Sequence, residues 1–536
     1  MTEMQEESHR SSGPGAARHA SRSLLLCGVV LYTSMPHVVL AVEVVRQAPE
    51  CVTELLETFM AASRDPSAQV REAALYAIGE CGPGEPASLA VVFGALDDPA
   101  PEVRHAALRA LACLDAPSEE TVSALAATLR DRDAWVRRGA VSVLVETALH
   151  SPKTAEMLLE LLGDPDPQIR LEVVRGLRDL GRDARKALPG LENALHDAYA
   201  PVTWEAVDAL AAMGPEGAPP LIRALTTTDD DLRRHATEAL GRMGQDAVPA
   251  LAAALEEGDA RVVIGACAAL SGQSWDKAPE VVPKLAELIC IPDPRVRRAA
   301  ALALGCVDRD SHGALSALVA AIEDTDTETR VNAASGLGKL TSEGSEVVPA
   351  LAKALEDSDK AVRRAAAVAL GCTRVTEAVP LLRKALHDPE ADVRRGAANG
   401  LALLRELAEP AVPDLIAALE DPDAGVFFQA CAALGAIGPA AALAVPPLAA
   451  ALDDASPNYR LSALQGLGGL GPAAASAVPR MRDLLKDRCT RRQAAWALGQ
   501  VGPPAREAAP ALRDLLQDED EHVRRMAKEA LEAISK

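Results

Sequence analysis

The chain has 536 residues, a net charge of −22 at neutral pH, and only 2% aromatic residues. The strong negative charge argues against general binding to the backbone of DNA or RNA. The apolar residues are mainly Ala, Leu and Val, a set that suits closely packed helices better than sheets. Length alone would suggest several globular domains, unless the chain is a repeat array that needs no single core.

The N-terminal part lacks the pattern of the rest. Residues 1–23 are polar and aperiodic, which predicts a disordered tail. Residues 23–42 then run without a charge, and a secretory signal or a membrane anchor would fit them, although the preceding acidic residues are unlike a basic signal region. We favour a degenerate capping repeat over 24–48, because the repeat described below, continued back by one period, requires apolar residues here. They stand at Leu26, Val30, Ala41 and Val45.

From residue 49 to the C terminus one unit recurs fifteen times. Its anchor, called position 0, is the residue that most often precedes an Arg, and it recurs every 30 to 34 residues, most often every 33. A period of this length is typical of helical repeats. The anchors are Val70, Val103, Val136, Ile169, Val202, Leu232, Val262, Val296, Thr329, Val362, Val393, Val426, Tyr459, Thr490 and Val523.

Each unit predicts two antiparallel helices. Position +4 is Ala in all units but one, +7 is Ala or Gly in all but one, and +8 is Leu or Ile throughout. Positions 0, +4, +7 and +8 form one stripe of a helix, whose small residues allow close helix packing. A second apolar pair at −11 and −7, such as Leu351 and Leu355, belongs to a preceding helix.

Residues at the predicted helix ends agree with this assignment. Pro opens many first helices, Asp at position −3 is a natural N-cap of the second helix, and Gly is expected to cap its C terminus. The prolines are Pro249, Pro283, Pro349, Pro380, Pro413, Pro479 and Pro510; the aspartates are Asp133, Asp166, Asp229, Asp326, Asp359, Asp423 and Asp520; the glycines are Gly241, Gly305, Gly338, Gly371, Gly435 and Gly499.

Two charged positions also recur. An Asp lies at −5 in eleven units and an Arg at +1 in twelve, for example Asp324 and Arg330 in one unit and Asp357 and Arg363 in the next. A row of ligand-binding arginines is one interpretation. We favour a ladder in which Asp and Arg of neighbouring repeats satisfy each other, setting orientation more than stability.

Cysteines are scattered, without a CxxC pattern, and six of the ten recur in the second helix. This pattern predicts small buried packing residues and a reducing cytoplasm, and it does not indicate metal ligands or disulfides. The six are Cys81, Cys113, Cys267, Cys306, Cys372 and Cys431.

The Asp and Arg six residues apart, the Val anchor and the Ala and Leu beyond it resemble the HEAT-repeat family, particularly its short bacterial form, the PBS-lyase HEAT-like repeats. The resemblance covers about residues 49 to 536. It implies an all-α fold, a right-handed α-α superhelix (solenoid) of about fifteen helix pairs whose second helices line the concave face. Function stays open, because this fold family includes adaptors, transport receptors, phosphatase scaffolds and a few enzymes.

No catalytic or metal-binding motif accompanies the repeats. No His is followed by Glu, the pair with which HEAT-like deoxyhypusine hydroxylases hold iron, and HExxH, P-loop and GxSxG patterns are missing. Gly466, Gly468 and Gly471 satisfy GxGxxG, but they fall at the end of a predicted helix instead of after a strand. We therefore expect no catalytic residue, cofactor or metal.

Seven units carry a second Arg at position +2, away from the buried stripe. These residues could form a basic strip for an acidic peptide or helix. Solvated arginines balanced by nearby carboxylates are the alternative, and the simpler one. The seven are Arg138, Arg234, Arg298, Arg364, Arg395, Arg492 and Arg525.

Three units replace the Arg at +1, with Thr203, Val263 and Phe427. Two of them also bring a rare aromatic residue to +2, Trp204 and Phe428. Trp204, Phe427 and Phe428 are candidate anchors for a partner, since exposed aromatics often dominate interfaces. Local repacking where the ladder is interrupted is an equal alternative.

These observations favour a non-catalytic protein-protein interaction scaffold or adaptor, which binds partner proteins along the concave face. The alternative that the resemblance leaves open is a lyase-like or chromophore-handling protein of the PBS-lyase group. We expect a cytoplasmic monomer that binds other proteins, including acidic peptides or helices, and binds neither nucleic acid nor membranes. Export is the alternative location if residues 23–41 are a signal peptide.

Overall fold

The computed structural model of the chain describes residues 52–81, 86–114, 119–147, 152–272, 278–307, 312–340 and 344–536. Within these ranges the regular structure consists of α-helices and short 3₁₀ helices, with no β-strand, so the all-α prediction is confirmed. The chain divides into two compact units, unit 1 ending at Ala247 and unit 2 beginning at Val248. The predicted tail over 1–23 and the predicted cap over 24–48 lie outside the described residues.

Unit 1 contains six helix pairs in its described part. In each pair an odd-numbered first helix precedes an even-numbered second helix, which carries the anchor of the repeat. The helices are α1 (Val52–Ala62), α2 (Ala68–Cys81), α3 (Pro86–Ala95), α4 (Pro101–Cys113), α5 (Glu119–Thr128), α6 (Ala134–Thr147), α7 (Pro152–Glu160), α8 (Pro167–Leu180), α9 (Leu188–Ala194), α10 (Ala200–Ala212), α11 (Ala218–Ala224) and α12 (Asp230–Arg242).

Unit 2 continues the alternation with nine pairs in its described ranges. Its helices are α13 (Val248–Ala254), α14 (Ala260–Ser271), α15 (Val282–Leu288), α16 (Pro294–Val307), α17 (His312–Ala321), α18 (Thr327–Lys339), α19 (Gly344–Ala354), α20 (Lys360–Cys372), α21 (Ala378–Ala385), α22 (Ala391–Leu404), α23 (Val412–Ala417), α24 (Ala424–Ile437), α25 (Val445–Ala450), α26 (Pro457–Leu470), α27 (Val478–Asp483), α28 (Arg491–Val501), α29 (Ala509–Asp514) and α30 (Glu521–Ser535).

Short 3₁₀ helices lead from many second helices into the next first helix, or close a first helix. They are Leu161–Gly163, Gly181–Ala187, Gly214–Gly217, Gly244–Ala247, Pro279–Val281, Arg405–Ala411, Ala418–Glu420, Gly438–Ala444, Ala451–Asp453, Gly471–Ala477, Leu484–Lys486, Pro503–Ala508 and Leu515–Gln517.

The core of each unit follows the predicted stripe. In α20 the anchor Val362, Ala366 and Leu370 at positions 0, +4 and +8 are fully buried, and Ala369 at +7 is nearly so. Consecutive second helices pack side by side within each unit, and each also contacts the first helix of its own pair. Burying one Leu side chain in this way stabilises the fold by about 1.5–3 kcal/mol, so the repeated Leu at +8 supplies much of the core.

The predicted N-caps are confirmed. The Asp326 carboxylate accepts a hydrogen bond from the backbone N–H of Thr329 at 2.9 Å, and the Asp359 carboxylate accepts one from Ala361 at 2.7 Å. All seven predicted aspartates accept such a bond from the first turn of their helix. Each satisfies a backbone donor that would otherwise have no partner in the helix.

Most of the predicted prolines lie in the first turn, where a missing N–H costs nothing. Pro283, Pro413, Pro479 and Pro510 are each the second residue of their helix. Pro349 differs, because α19 begins five residues earlier, at Gly344, so this proline lies inside the helix.

The six predicted glycine caps were wrong. All six glycines lie inside the second helices. For five of them, all but Gly241, a side chain would crowd the neighbouring second helix: a Cβ on Gly371 would lie 2.4 Å from the Cα of Gly400. The residues that end several of these helices are other glycines with positive φ, such as Gly438 after α24 and Gly502 after α28. The recurrence of the predicted cap glycines in the repeat therefore reflects the close approach of neighbouring second helices and not the end of a helix.

The Asp–Arg ladder connects neighbouring repeats, as predicted. Arg330 donates from Nε and Nη2 to the two carboxylate oxygens of Asp357 at 2.7 and 3.0 Å, and from Nη1 to the backbone oxygen of Asp324 at 2.9 Å. The Arg330 and Asp357 side chains are only 13% and 12% exposed. Ten such pairs occur in the described ranges: Arg71–Asp98, Arg104–Asp131, Arg137–Asp164, Arg170–Asp197, Arg297–Asp324, Arg330–Asp357, Arg363–Asp388, Arg394–Asp421, Arg460–Asp487 and Arg491–Asp518.

The ladder is interrupted in the three units that lack Arg at +1, and also at Arg233, which pairs with Asp230 of its own helix. The Thr203 hydroxyl donates to the backbone oxygen of Asp197 at 3.3 Å, the kind of loop carbonyl that Arg binds in other repeats. Val263 is buried, and Phe427 is buried against Tyr459, the anchor of the next repeat, with ring centroids 4.5 Å apart. Each replacement therefore fills the space of an arginine with a locally packed side chain.

The cysteine prediction is confirmed only in part. Cys267 and Cys431 at position +5 are buried free thiols. Cys306 and Cys372 at +10 are partly exposed, and Cys113 at the same position is exposed, which contradicts its predicted role as a buried packing residue. Position +10 lies about 60° beyond +7, outside the edge of the stripe, because each residue turns the helix by 100°.

One helical run in the described residues, Ala424–Asp453, is long and apolar enough to cross a membrane by length and composition, with a mean hydropathy of 1.7. It consists of α24, α25 and the 3₁₀ helices after each, and half of it is buried within the protein. Gly438, with a positive φ of 77°, ends the α-helix α24 within this run. These are core helices of two successive repeats, so the run is weak evidence for a membrane span.

Candidate protein-binding grooves

Positions +2, +6 and +10 of the second helix form a stripe of their own. Successive members are four residues apart, so they lie one above another on the side of the helix turned away from the anchor stripe. In both units the residues at these positions line an open groove formed by consecutive second helices. We call the three positions the groove stripe.

The N-terminal groove lies on α4, α6 and α8 of unit 1 and has a volume of about 600 Å³. Its lining mixes charges of both signs, including Arg109, Arg138, Glu146 and Glu172. Cys113 also lines it, and burial raises the pKa of its thiol above the ordinary value, despite its exposed surface. A raised pKa leaves the thiol protonated at neutral pH, so Cys113 is not an activated nucleophile.

The C-terminal groove lies on α18, α20 and α22 of unit 2, with one residue from α24, and also has a volume of about 600 Å³. Arg364 and Arg395 at position +2 face it, and Lys339 lies at its edge at position +10. Val368 between them is apolar, and Asn399 supplies an amide. The groove is therefore a shallow apolar floor bordered by three cations and by the carboxylate of Asp392.

Three of the seven predicted arginines line these grooves, namely Arg138, Arg364 and Arg395. The other four lie on their second helices outside the two grooves: Arg234, Arg298, Arg492 and Arg525.

The partners of these arginines differ. Arg298 donates to both oxygens of Asp326, and Arg234 binds Asp231 at 2.8 Å on its own helix, as the alternative of balanced arginines predicts. Arg395 binds Asp392 on its own helix. In the described part of the chain, Arg138, Arg364 and Arg492 are exposed and have no carboxylate within 4.0 Å.

The predicted aromatic residues separate into two groups. Trp204 on α10 is 48% exposed, so it can contact a partner. Phe427 is buried, and Phe428 is partly exposed with its ring edge-on to both Phe427 and Tyr459. For Phe427 the structure corrects the partner-anchor interpretation: its ring fills the interrupted ladder and is not available at the surface.

Sequence reasoning missed one aromatic feature of the N-terminal groove. Trp135, 38% exposed at position −1, stacks on His105 at position +2 of the preceding second helix, with ring centroids 3.9 Å apart. Burial lowers the pKa of His105 below its ordinary value, so the ring is neutral at pH 7. The rarity of Trp in this chain was the available signal, but Trp135 precedes the anchor and so lies outside the stripes that the repeat pattern defines.

The described residues hold little that would support chemistry. They contain no cluster of three or more His, Cys, Asp or Glu side chains placed to hold a metal ion. Gly466 and Gly468 lie inside α26 and Gly471 is its C-cap with φ of 58°, so the GxGxxG pattern ends a helix. A dinucleotide-binding loop has the reverse arrangement, opening a helix after a strand.

Stacked helix pairs whose second helices line an open groove define a helical-repeat protein. The chain belongs to the HEAT-repeat family: the family model for HEAT repeats matches residues 56–145, 122–211, 188–271, 266–326, 315–402, 379–445 and 445–532. No curated protein sequence matches the chain.

Solved structures with a similar fold include the karyopherin Kap121p in several complexes. Kap121p bound to the extreme C terminus of the protein phosphatase Cdc14p is 15% identical, with a TM-score of 0.53 over 93% of this chain and 68% of that one. Kap121p bound to Nup53p gives the same identity and TM-score over 93% and 67% of the two chains. Kap121p bound to the SUMO protease Ulp1p is 15% identical, with a TM-score of 0.53 over 93% of this chain and 66% of that one. At this identity the likeness concerns the fold.

Proposed function

We propose that this protein is a non-catalytic scaffold or adaptor that binds partner proteins along the second-helix grooves of its HEAT repeats. The observation that carries the proposal is the recurrence of an open groove at the same repeat positions in both units. An elongated, shallow surface of this kind suits a peptide or a helix, whereas small molecules are usually held in enclosed pockets.

Exposed side chains in and near the grooves support the proposal. Trp204 and Trp135 present large aromatic surfaces, and Arg138 and Arg364 present guanidinium groups without an ion pair in the described ranges. Trp and Arg are the residue types most enriched at the energetic centres of protein interfaces. The Kap121p structures, which contain bound proteins, are a precedent for this use of the fold.

The test compares the partners captured by the wild-type chain with those captured by groove variants. Trp204→Ala and Arg364→Glu alter exposed groove-stripe positions, and Arg506→Glu alters an exposed arginine in the 3₁₀ helix Pro503–Ala508, outside both grooves. We expect a defined set of partners to be lost from at least one groove variant and retained by Arg506→Glu. Each interaction is then measured with the purified partner by isothermal titration calorimetry.

Two results would contradict the proposal. Capture of the same partners by all variants would place binding elsewhere on the chain. A small molecule that co-purifies with the wild-type chain and changes its absorption spectrum would favour the chromophore-handling alternative instead. Circular dichroism of each variant shows whether the fold is intact, which is expected because all three positions are exposed.

We infer a cytoplasmic location and the PBS-lyase HEAT-like repeat type on separate grounds. The cysteines with described surroundings are free thiols, as suits a reducing compartment. The short period and the Asp and Arg six residues apart support the repeat type. Cell fractionation with an antibody to the chain tests the location, and recovery of the protein in the culture medium would contradict it.

A further inference from the structure

The groove stripe of unit 2 differs in charge from the rest of the protein. On the eight second helices from α14 to α28, positions +2, +6 and +10 contain no Asp or Glu, although the chain has 77 acidic residues and a net charge of −22. The same three positions on the six second helices of unit 1 contain six carboxylates: Glu72, Glu80, Glu146, Asp179, Asp208 and Glu238. The repeat fold therefore tolerates carboxylates at these positions, as it also does on α30, where Glu529 stands at +6, so their absence from α14 to α28 has another reason.

Cations occupy part of this carboxylate-free stripe. They are Arg298, Lys339, Arg364, Arg395 and Arg492. They give this part of unit 2 a local positive surface on an acidic protein, and such a surface attracts an acidic partner.

The carboxylates that face these cations come from positions outside the stripe. The Asp326 carboxylate accepts a hydrogen bond from Arg298. Asp392 pairs with Arg395, and a carboxylate oxygen of Asp423 lies 3.8 Å from Nε of Arg395. The Arg395 hydrogen bond is the main cause that lowers the pKa of Asp392.

Arg364 is the available cation at the centre of the groove. It is exposed, and within the described residues no carboxylate lies within 4.0 Å of it, unlike Arg363 beside it, which is held by Asp388 at 2.8 Å and is 13% exposed. Arg395 is 44% exposed and holds Asp392 on the surface of the same helix. Exposed pairs of this kind contribute little energy, so an incoming carboxylate can compete for Arg395.

The floor between the two arginines is shallow and made of small residues. Ala365, Val368 and Gly396 lie between Arg364 and Arg395. A Cβ on Gly396 would lie only 3.1 Å from the backbone oxygen of Arg364, so the two helices approach closely there. Such a floor admits an extended backbone with small apolar side chains, and it is too shallow for a packed helix with large anchors.

The repeat spacing sets the distance between the charges. Neighbouring packed helices lie about 8–10 Å apart, and Arg364 and Arg395 occupy the same position on neighbouring second helices. A segment in the polyproline II conformation that crosses the helices advances about 3.1 Å per residue with three residues per turn, so side chains three residues apart lie on the same side and about 9 Å apart. Two carboxylates three residues apart would thus face the two guanidinium groups.

We propose that the C-terminal groove binds an extended acidic segment of a partner protein, with carboxylates three residues apart on Arg364 and Arg395 and a small apolar side chain on Val368. The inference rests on the proposed scaffold function and specifies its ligand. The amide of Asn399 is placed to donate to the backbone or a side chain of the segment.

The test measures binding of three labelled synthetic peptides to the purified full chain by fluorescence anisotropy. The first peptide has Glu at every third position with Ala or Val between, the second has the same composition with its glutamates adjacent, and the third has Gln in place of Glu. We expect the spaced peptide to bind most tightly, and its affinity to fall as salt is raised. Equal binding of the spaced and adjacent peptides would overturn the proposed spacing.

Charge reversal identifies the site. Arg364→Glu places like charges together and is expected to weaken binding of the spaced peptide about tenfold or more, whereas Arg506→Glu makes the same change in net charge outside the groove and is expected to leave it nearly unchanged. An equal loss in both variants would mean non-specific attraction and overturn the proposal. A dimer in sedimentation equilibrium that Arg364→Glu dissolves would assign the groove to a second copy, which also overturns it.

A groove-filling variant separates this inference from the proposed function. Val368→Trp is expected to block the floor between the arginines, and its melting curve shows whether the fold survives. If Val368→Trp abolishes capture of cellular partners while no acidic peptide binds the wild-type chain, the scaffold function stands and the acidic specificity is wrong. If neither partner capture nor peptide binding depends on the groove, both are wrong.

Discussion

Replacing Arg330 by Met tests how much the ladder contributes to stability. The substitution removes three hydrogen bonds from a charged donor, two to the Asp357 carboxylate and one to the Asp324 backbone oxygen. It also leaves Asp357, 12% exposed, without its counter-charge. Removing one partner of a buried pair costs about 3–5 kcal/mol, and water reaching the exposed edge of Asp357 places the expected loss at the lower end, about 3 kcal/mol.

Urea unfolding followed by circular dichroism measures the overall loss for Arg330→Met. Hydrogen exchange of the amides in α18 and α20 measures it locally, because repeat arrays can unfold in more than one step. The matched control is Lys353→Met, since Lys353 and its partner Glu323 are both more than 60% exposed, and the expected cost is below about 1 kcal/mol. A loss for Arg330→Met no larger than that of the control would refute the reasoning.

A double variant separates the net value of the pair from the cost of an orphaned charge. Arg330→Met with Asp357→Leu removes both charges and is expected to recover at least half of the loss, because apolar residues of similar volume often replace buried ion pairs without cost. The pair would then set the orientation of neighbouring repeats more than it stabilises them. A double variant as unstable as the sum of the two single variants would contradict this account.

Three further outcomes are expected. The hydrogen bonds from Arg394 lower the pKa of Asp421 in the folded state. The ladder therefore stabilises the protein above the unfolded pKa of about 4 and loses that contribution as the pH falls below it. Melting temperatures should be flat from pH 7 to 5 and fall below pH 4, and a decline that starts above pH 6 would contradict this. Gly371→Ala should cost about 1–3 kcal/mol in urea unfolding by forcing neighbouring helices apart, while Gly258→Ala, with open space at its Cβ position, should not. Phe427→Ala should lower stability by about 3 kcal/mol and leave partner capture unchanged, whereas Trp204→Ala should do the reverse; loss of partners with Phe427→Ala alone would restore it as a binding residue.

Much of the fold could be predicted from the sequence because the repeat supplies fifteen observations of each position. The anchor stripe, the Asp caps and the charge ladder each recur often enough to identify their role, and helical periodicity assigns them to faces. The ladder shows the reach of this reasoning: Arg297 and Asp324 lie 27 residues apart, and only the period brings them together.

Predictions failed where a role depends on a neighbouring repeat instead of on the helix itself. Gly371 recurs near a helix end, as a cap would, but its role is the approach of Gly400 from the next repeat. Phe427 looked exposed by its position, yet Tyr459 of the next repeat covers it. The stack of Trp135 on His105 likewise joins two repeats at different positions. A contact between different positions of two successive repeats, formed only once in the chain, leaves no periodic signal in the sequence.

Seven of the ten ladder aspartates in the described ranges serve two arginines: the carboxylate binds the arginine of the preceding repeat, and the backbone oxygen of the same residue accepts from the arginine of its own repeat. The charged part of the join is consequently the same at each of these seams, whereas the apolar contacts beside it differ from seam to seam. In-frame duplication or deletion of a whole repeat between two such seams would therefore keep every ladder Asp and Arg at the new join paired.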